Sequence, residues 1–231
     1  MRALLLLDRE TFPAFPSLLP RYPLNWRKEK EMTRSLRTIS LLVLTLALAV
    51  PMMALNVVNT SAPSINCVFS TTCSIVVNDM GSNLPNGGRI QSRIFQGQPG
   101  SPMAGKWVYE YRVNMANAVG FTYVPYVDGM YIVGWGPVLA YDYNFDSIYT
   151  DQVFVVTAGG IGTVGLSSVN VFWGATFFNL SSPVYGGSFP GDGESSYFFG
   201  LVSNYAPTVK TAQVHMDNGY AAVNVYAPNV P

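Results

Sequence analysis

The chain has 231 residues and equal numbers of acids and bases, but the charges are unevenly placed. Residues 1–54 carry eight Lys/Arg and four Asp/Glu, whereas residues 55–231 carry five bases against nine acids, a net of −4. An acidic domain argues against a nucleic-acid partner, whose phosphates demand clustered Lys and Arg, and against docking on an anionic membrane surface.

Residues 1–31 are proline-rich and show no apolar period. Residues 32–54, MTRSLRTISLLVLTLALAVPMMA, read as an export signal. Arg34 and Arg37 make a positive start, and about a dozen apolar residues follow, too few for a membrane span. Small residues then close the segment. Cleavage after Ala54 is the preferred expectation and after Ala49 the alternative. A signal sequence begins close to its start methionine, so Met32 is the expected start and residues 1–31 are excluded from the fold. Residues 55–231 are then one domain, large enough for a buried core, with no membrane span after processing.

Residues 55–231 hold 25 valines but only six leucines, two lysines and two glutamates. Valine suits a pleated sheet, and the residues that favour helices are the ones missing. All 21 glycines and 27 of the 31 aromatics lie in this part. The composition predicts an all-β fold with little or no helix.

Strands are predicted in chain order. Residues 65–69 and 73–78 form the first pair, stapled by Cys67 and Cys73. These are the only cysteines, and an exported chain is expected to oxidise them together. Residues 81–88 read as a loop. Residues 89–95 and 106–115 alternate as half-buried strands, with Trp107, Tyr109, Tyr111 and Val113 on one face and Lys106, Glu110 and Arg112 on the other. Residues 119–127 and 130–139 are predicted to form a hairpin about Asp128-Gly129. Further strands follow at 140–145, 152–157, 163–173, 175–180, 196–203, 209–216 and 220–227, the last two joined by a tight turn at Asn218-Gly219. Some twelve short strands without an internal repeat predict a two-sheet antiparallel β-sandwich, with a jelly roll as the expected variant.

Catalytic groups are sparse. His215 is the only histidine and lies on a predicted strand, where it reads as a surface residue rather than a general base. No G-x-S-x-G elbow occurs. The two glutamates of this part, Glu110 and Glu194, do not read as an opposed glycosidase pair. Glu110 is expected to pair with Arg112 or Lys106 on its own strand face. These features predict a non-enzymatic protein without a cofactor.

Asp142, Asn144 and Asp146, with Asp151 nearby, have the spacing that opens an EF-hand loop. Ser147 then stands where glycine is required, and Val153 where the closing glutamate belongs. Two readings stand for this cluster, a calcium-ligand set or a solvated strand face. Aromatics crowd residues 107–149. Trp107, Tyr109 and Tyr111 are expected in the core. Trp135, Tyr141 and Tyr143 are the candidate ligand-binding residues, since exposed aromatic rings stack on sugars.

The segments KWVYEYRVNM (106–115), GDGESSYFFGLVSNYAP (191–207) and TAQVHMDNGYAAVNVYAP (211–228) resemble exported bacterial β-proteins of the exosortase-sorted (PEP-CTERM) kind. Proteins of that kind continue into a sorting motif, an apolar span and basic residues, none of which follows Pro231 here. The resemblance implies a released or non-covalently retained protein with a surface or matrix role, and it transfers no catalytic residue. The sequence thus predicts a secreted, non-enzymatic β-sandwich with a structural or adhesive role at the cell surface or in the extracellular matrix. The alternative is a carbohydrate-binding module. Expected partners are extracellular polysaccharide, or further copies of the chain through the edges at 55–59 and 220–227.

Overall fold

A computed structural model describes residues 53–231. The expected export signal lies outside them, apart from Met53 and Ala54, as do residues 1–31. The elements in chain order are β1 (Met53–Leu55), β2 (Val57–Ser61), α1 (Ala62–Phe69), β3 (Asn78–Asn83), a 3-10 turn (Pro85–Gly87), β4 (Arg89–Gln96), β5 (Trp107–Asn114), β6 (Tyr126–Val133), β7 (Val153–Ala158), β8 (Leu166–Phe172), β9 (Ala175–Tyr185), β10 (Phe199–Ser203), β11 (Pro207–Met216) and β12 (Gly219–Pro228). The first sheet runs β1-β8-β9-β6-β11-β12 and the second β2-β7-β10-β5-β4-β3. Every ladder is antiparallel except β2–β7. The chain is an all-β sandwich. Part of its connectivity wraps as a roll does: the β5–β10 ladder of one sheet continues as β6–β9 in the other.

Alternation along β5 explains the two cores. Tyr109, Tyr111 and Val113 point between the sheets and join Trp135, Phe178 and Phe199 in the main cluster. Trp135 meets Tyr109 and Tyr111 edge-on, at centroid distances of 5.1 and 5.7 Å, the arrangement that aromatic quadrupoles favour. The buried tyrosine hydroxyls are satisfied: Tyr109 donates to Tyr205 O at 2.8 Å and Tyr111 to Tyr226 O at 2.7 Å. Trp107, on the same face but nearer the strand end, is only partly buried. Val108, on the opposite face, enters a second cluster with Phe69, Tyr143, Phe154 and Phe198.

This second cluster exists because α1 covers the outer face of the second sheet. Residues 65–69 were expected as a strand, and they are helical. The Ser61 hydroxyl caps the first turn by accepting from Ser64 N at 3.2 Å, and a proline in the first turn suits a helix start. Ile65, Val68 and Phe69, spaced i, i+3, i+4, form the buried face. Cys67 and Cys73 are bonded as expected, but the bridge ties the end of α1 to the turn after it rather than stapling a hairpin. Residues 73–77 are not a strand, and the first hairpin is instead β3–β4, with β3 occupying part of the expected 81–88 loop.

The expected hairpin at Asp128-Gly129 is absent. Both residues lie inside β6, where Asp128 is the extra residue of a bulge: Val127 pairs with Met216 and Gly129 with His215. A bulge accommodates the same Asp-Gly pair that marks a turn, and the ladder to β11 continues on both sides of it. The closing hairpin forms, but its two-residue turn is Asp217-Asn218, and Gly219, expected in the turn, opens β12 paired with Met216.

The edges at 55–59 and 220–227 are real edges: β1 and β12 flank the first sheet and β2 flanks the second. β12 is partly engaged, since Tyr226 N donates to Ser92 Oγ at 2.9 Å and Asn224 O accepts from Ser82 Oγ at 2.6 Å. Met53 and Ala54 pair with Val171 and Asn170, so cleavage after Ala54 would remove two of the three residues of β1 and cleavage after Ala49 none. Among the described residues no helix is long and apolar enough to cross a membrane.

Candidate functional site

Ligand-binding candidates chosen from the sequence fall in unexpected places. Trp135 and Tyr143 are fully buried and Tyr141 is half-buried. Trp135 and Tyr143 are core side chains, so neither offers a face to a ligand. Local aromatic density does not separate core from surface, because a sandwich needs ring volume between its layers.

The carboxylates of the Asp142 cluster are turned onto their own backbone. Asp142 accepts from Asp146 N at 3.0 Å and Ser147 N at 2.8 Å. Asp146 accepts from Ile148 N at 2.8 Å, and Asp151 from Tyr143 N at 2.9 Å. These bonds staple a loop, where a strand over 140–145 was expected.

Several exposed rings, Phe121, Tyr123, Phe145, Tyr149 and Phe189, lie in loops, whereas the outer face of the first sheet carries a set of partly exposed aromatics that lie together. Cross-strand register puts Asn170, Phe177, Tyr131, Gln213 and Ala222 in one row, each on a successive strand from β8 to β12. The adjacent row runs Ser168, Asn179, Gly129, His215 and Tyr220. Tyr131 and Phe177 stack with their centroids 5.0 Å apart, Tyr220 meets Tyr131 at 6.0 Å, and His215 lies 4.9 Å from Tyr220. Pairs of this kind are the normal unit of sheet stabilisation. Here they also leave ring surface in solvent, Tyr220 being 64% exposed.

Gly129 makes the face concave. It has no side chain in the middle of the second row, and a Cβ there would come within 2.8 Å of Phe178 O. A depression of about 360 Å³ results, bordered by Asp128, Tyr131, Phe177, Asn179, His215 and Tyr220. A second, of about 290 Å³, adjoins it across Phe177 and Asn179 and reaches Asn170 and Phe172. The two form one track across the strands. At its far end Trp173 stacks on Phe172 with 19° between the rings and stands 75% exposed.

Trp173 and Gly174 form the two-residue β8–β9 turn with φ of 50° and 72°, the left-handed pair that this tight hairpin requires. A tryptophan seldom adopts that conformation.

Polar groups rim the track. His215 Nδ1 hydrogen-bonds the Asp128 carboxylate, which the bulge brings beside it. Asn170 and Asn179 each donate to Ser168 Oγ, at 3.3 and 3.0 Å, leaving their amide oxygens as acceptors. Rings on the floor and amide, carboxylate and imidazole groups around them suit a ligand with an apolar face and a hydroxylated edge.

The sequence contained one usable signal for this face. Tyr131 sits between Met130 and Ile132, and Phe177 beside Phe178, so alternation alone sends one of each set outward. Gly129 was legible as a turn residue and not as a gap.

Comparison with family models, with curated proteins and with solved structures finds no match to this chain.

Proposed function

We propose that the protein is an exported, non-enzymatic adhesive protein that holds a carbohydrate chain along the outer face of its first sheet. The observation that carries this reading is the aromatic track from Phe172 and Trp173 through Phe177 and Tyr131 to Tyr220, half-buried in its middle and exposed at Trp173 and Tyr220. Sugar rings have an apolar C–H face that packs on aromatic surface, and hydroxyl edges that the rim groups can meet. A track spanning several strands fits an extended polymer better than a single small molecule. Aromatic surface on an open sheet face costs solubility, so its retention on an acidic domain with few charges supports a binding role. The export signal read at residues 32–54 and the resemblance to surface β-proteins agree with an extracellular target.

A glycan-array screen of the protein, with Tyr131→Ala, Phe177→Ala and the double variant alongside, tests the reading. Binding to one or more polysaccharides should fall at least about tenfold in each single variant, as expected when a central contact is truncated, while far-UV circular dichroism is unchanged. No binding to any glycan, or binding indifferent to both substitutions, overturns it.

A further inference from the structure

Glu110 lies on the face of β5 opposite the main core, beneath α1. It is 5% exposed, and its side chain makes no ion pair or hydrogen bond among the described residues. The expected partners are engaged elsewhere. Arg112 bonds Gln91, Ser195 and Ser196 O, and Lys106 bonds Asn204.

Arg93 stands directly across the ladder from Glu110, yet its guanidinium lies 3.7 Å above the Phe198 ring and its Nε is 3.7 Å from Asp79. That Nε is buried without a hydrogen-bond partner. A buried carboxyl left unpaired is costly, and such a group calls for an explanation.

Glu110 lines an open pocket of about 330 Å³ between α1 and the second sheet. Arg93 and Asn66 line it too, with Ile65, Val77 and Phe198 as apolar wall. Its volume is at the small end of the usual range for small-molecule sites. We propose that this pocket is a binding site for a neutral polyhydroxylated molecule of monosaccharide size, anchored by Glu110.

The charges select that class. Above about pH 7, where Glu110 is ionised, Arg93 and Arg112 balance Glu110 and Asp79. An amine would add a third positive charge, and a carboxylate would sit against Glu110. A neutral polyol instead donates to Glu110 and accepts from Arg93, using the groups the fold leaves unspent. Asn66 can do either. This site is on the opposite sheet from the aromatic track and does not depend on the carbohydrate-chain reading.

Titration of the full chain with D-glucose, D-galactose, D-mannose and myo-inositol, followed by NMR, tests the proposal, with n-butylamine and butyrate as charged probes. At least one polyol should bind saturably, shifting the signals of Ile65, Val77 and Phe198. Glu110→Gln should weaken it about tenfold through loss of a charged hydrogen bond, and Tyr131→Ala should leave it unchanged. Ile161→Trp, at the exposed pocket rim, should also block binding and serves if Glu110→Gln does not fold. The proposal is overturned if no polyol shifts these signals, if only a charged probe does, or if binding survives Ile161→Trp or a folded Glu110→Gln.

Discussion

The outer faces of the two sheets began as similar patterns and ended as opposite environments. On β6, β9 and β11 the outward residues are Tyr131, Phe177 and His215, and they remain in contact with solvent. On β4 and β5 the outward residues include Arg93 and Glu110, yet Glu110 is buried and the apolar residues beside it form a second core. The charged strand face is the covered one, and the aromatic face is the open one. Alternation reports that a strand has two faces; what packs against each face is decided by elements elsewhere in the chain, here α1 and the segments after it.

The largest effect should come from the region common to both faces, the core between the sheets. Trp135→Ala should destabilise the protein by about 3–5 kcal/mol in equilibrium denaturation, the range for truncating a buried large aromatic. A loss below about 1 kcal/mol would return Trp135 to the surface and remove the contrast with Tyr131.

Glu110 provides the next test, through pH. Burial raises its carboxyl from 4.5 to about 7, with Arg93 opposing the rise. The folded state therefore holds this proton more tightly than the unfolded state. The stability it contributes is fully present below pH 4.5 and is lost as pH rises through about 7. Glu110→Gln should remove that dependence, so the variant gains on the parent as pH rises, by up to about 3 kcal/mol at pH 8. Identical pH–stability profiles for parent and variant would mean that the covered face is wet.

Replacing both Cys67 and Cys73 with alanine should cost about 2 kcal/mol, as expected for closing so short a loop. The loss should be local. Hydrogen exchange should quicken in α1 while β11–β12 keeps its protection. Equal loss in both would show that the cover and the sandwich melt as one unit.

The smallest effect belongs to the open face. His215→Ala should change stability by no more than about 0.5 kcal/mol, as for other surface positions. It should weaken glycan binding about fivefold, through one hydrogen bond at the rim. A large loss of stability would instead make the Asp128–His215 contact a structural clamp on the bulge.

Composition and alternation alone carried the fold class. Valine-rich strands with few helix formers can bury their apolar surface only as packed sheets, and Tyr109 and Tyr111 are core because they share a face with Val113. The disulfide was equally legible, because the two cysteines of the chain have only each other as partners. Tertiary structure decided the rest. Ile65, Val68 and Phe69 form a helix because Ser61 caps them and the second sheet offers an apolar face to cover, a combination too short to register as a period. Asp128-Gly129 is a bulge and not a turn because Met216 and His215 hold the ladder on either side. Trp135 is core and Tyr131 is partly exposed although both lie in the same aromatic run. Sequence spacing records which residues share a strand face, but exposure depends on a second element packed against that face from a distant part of the chain.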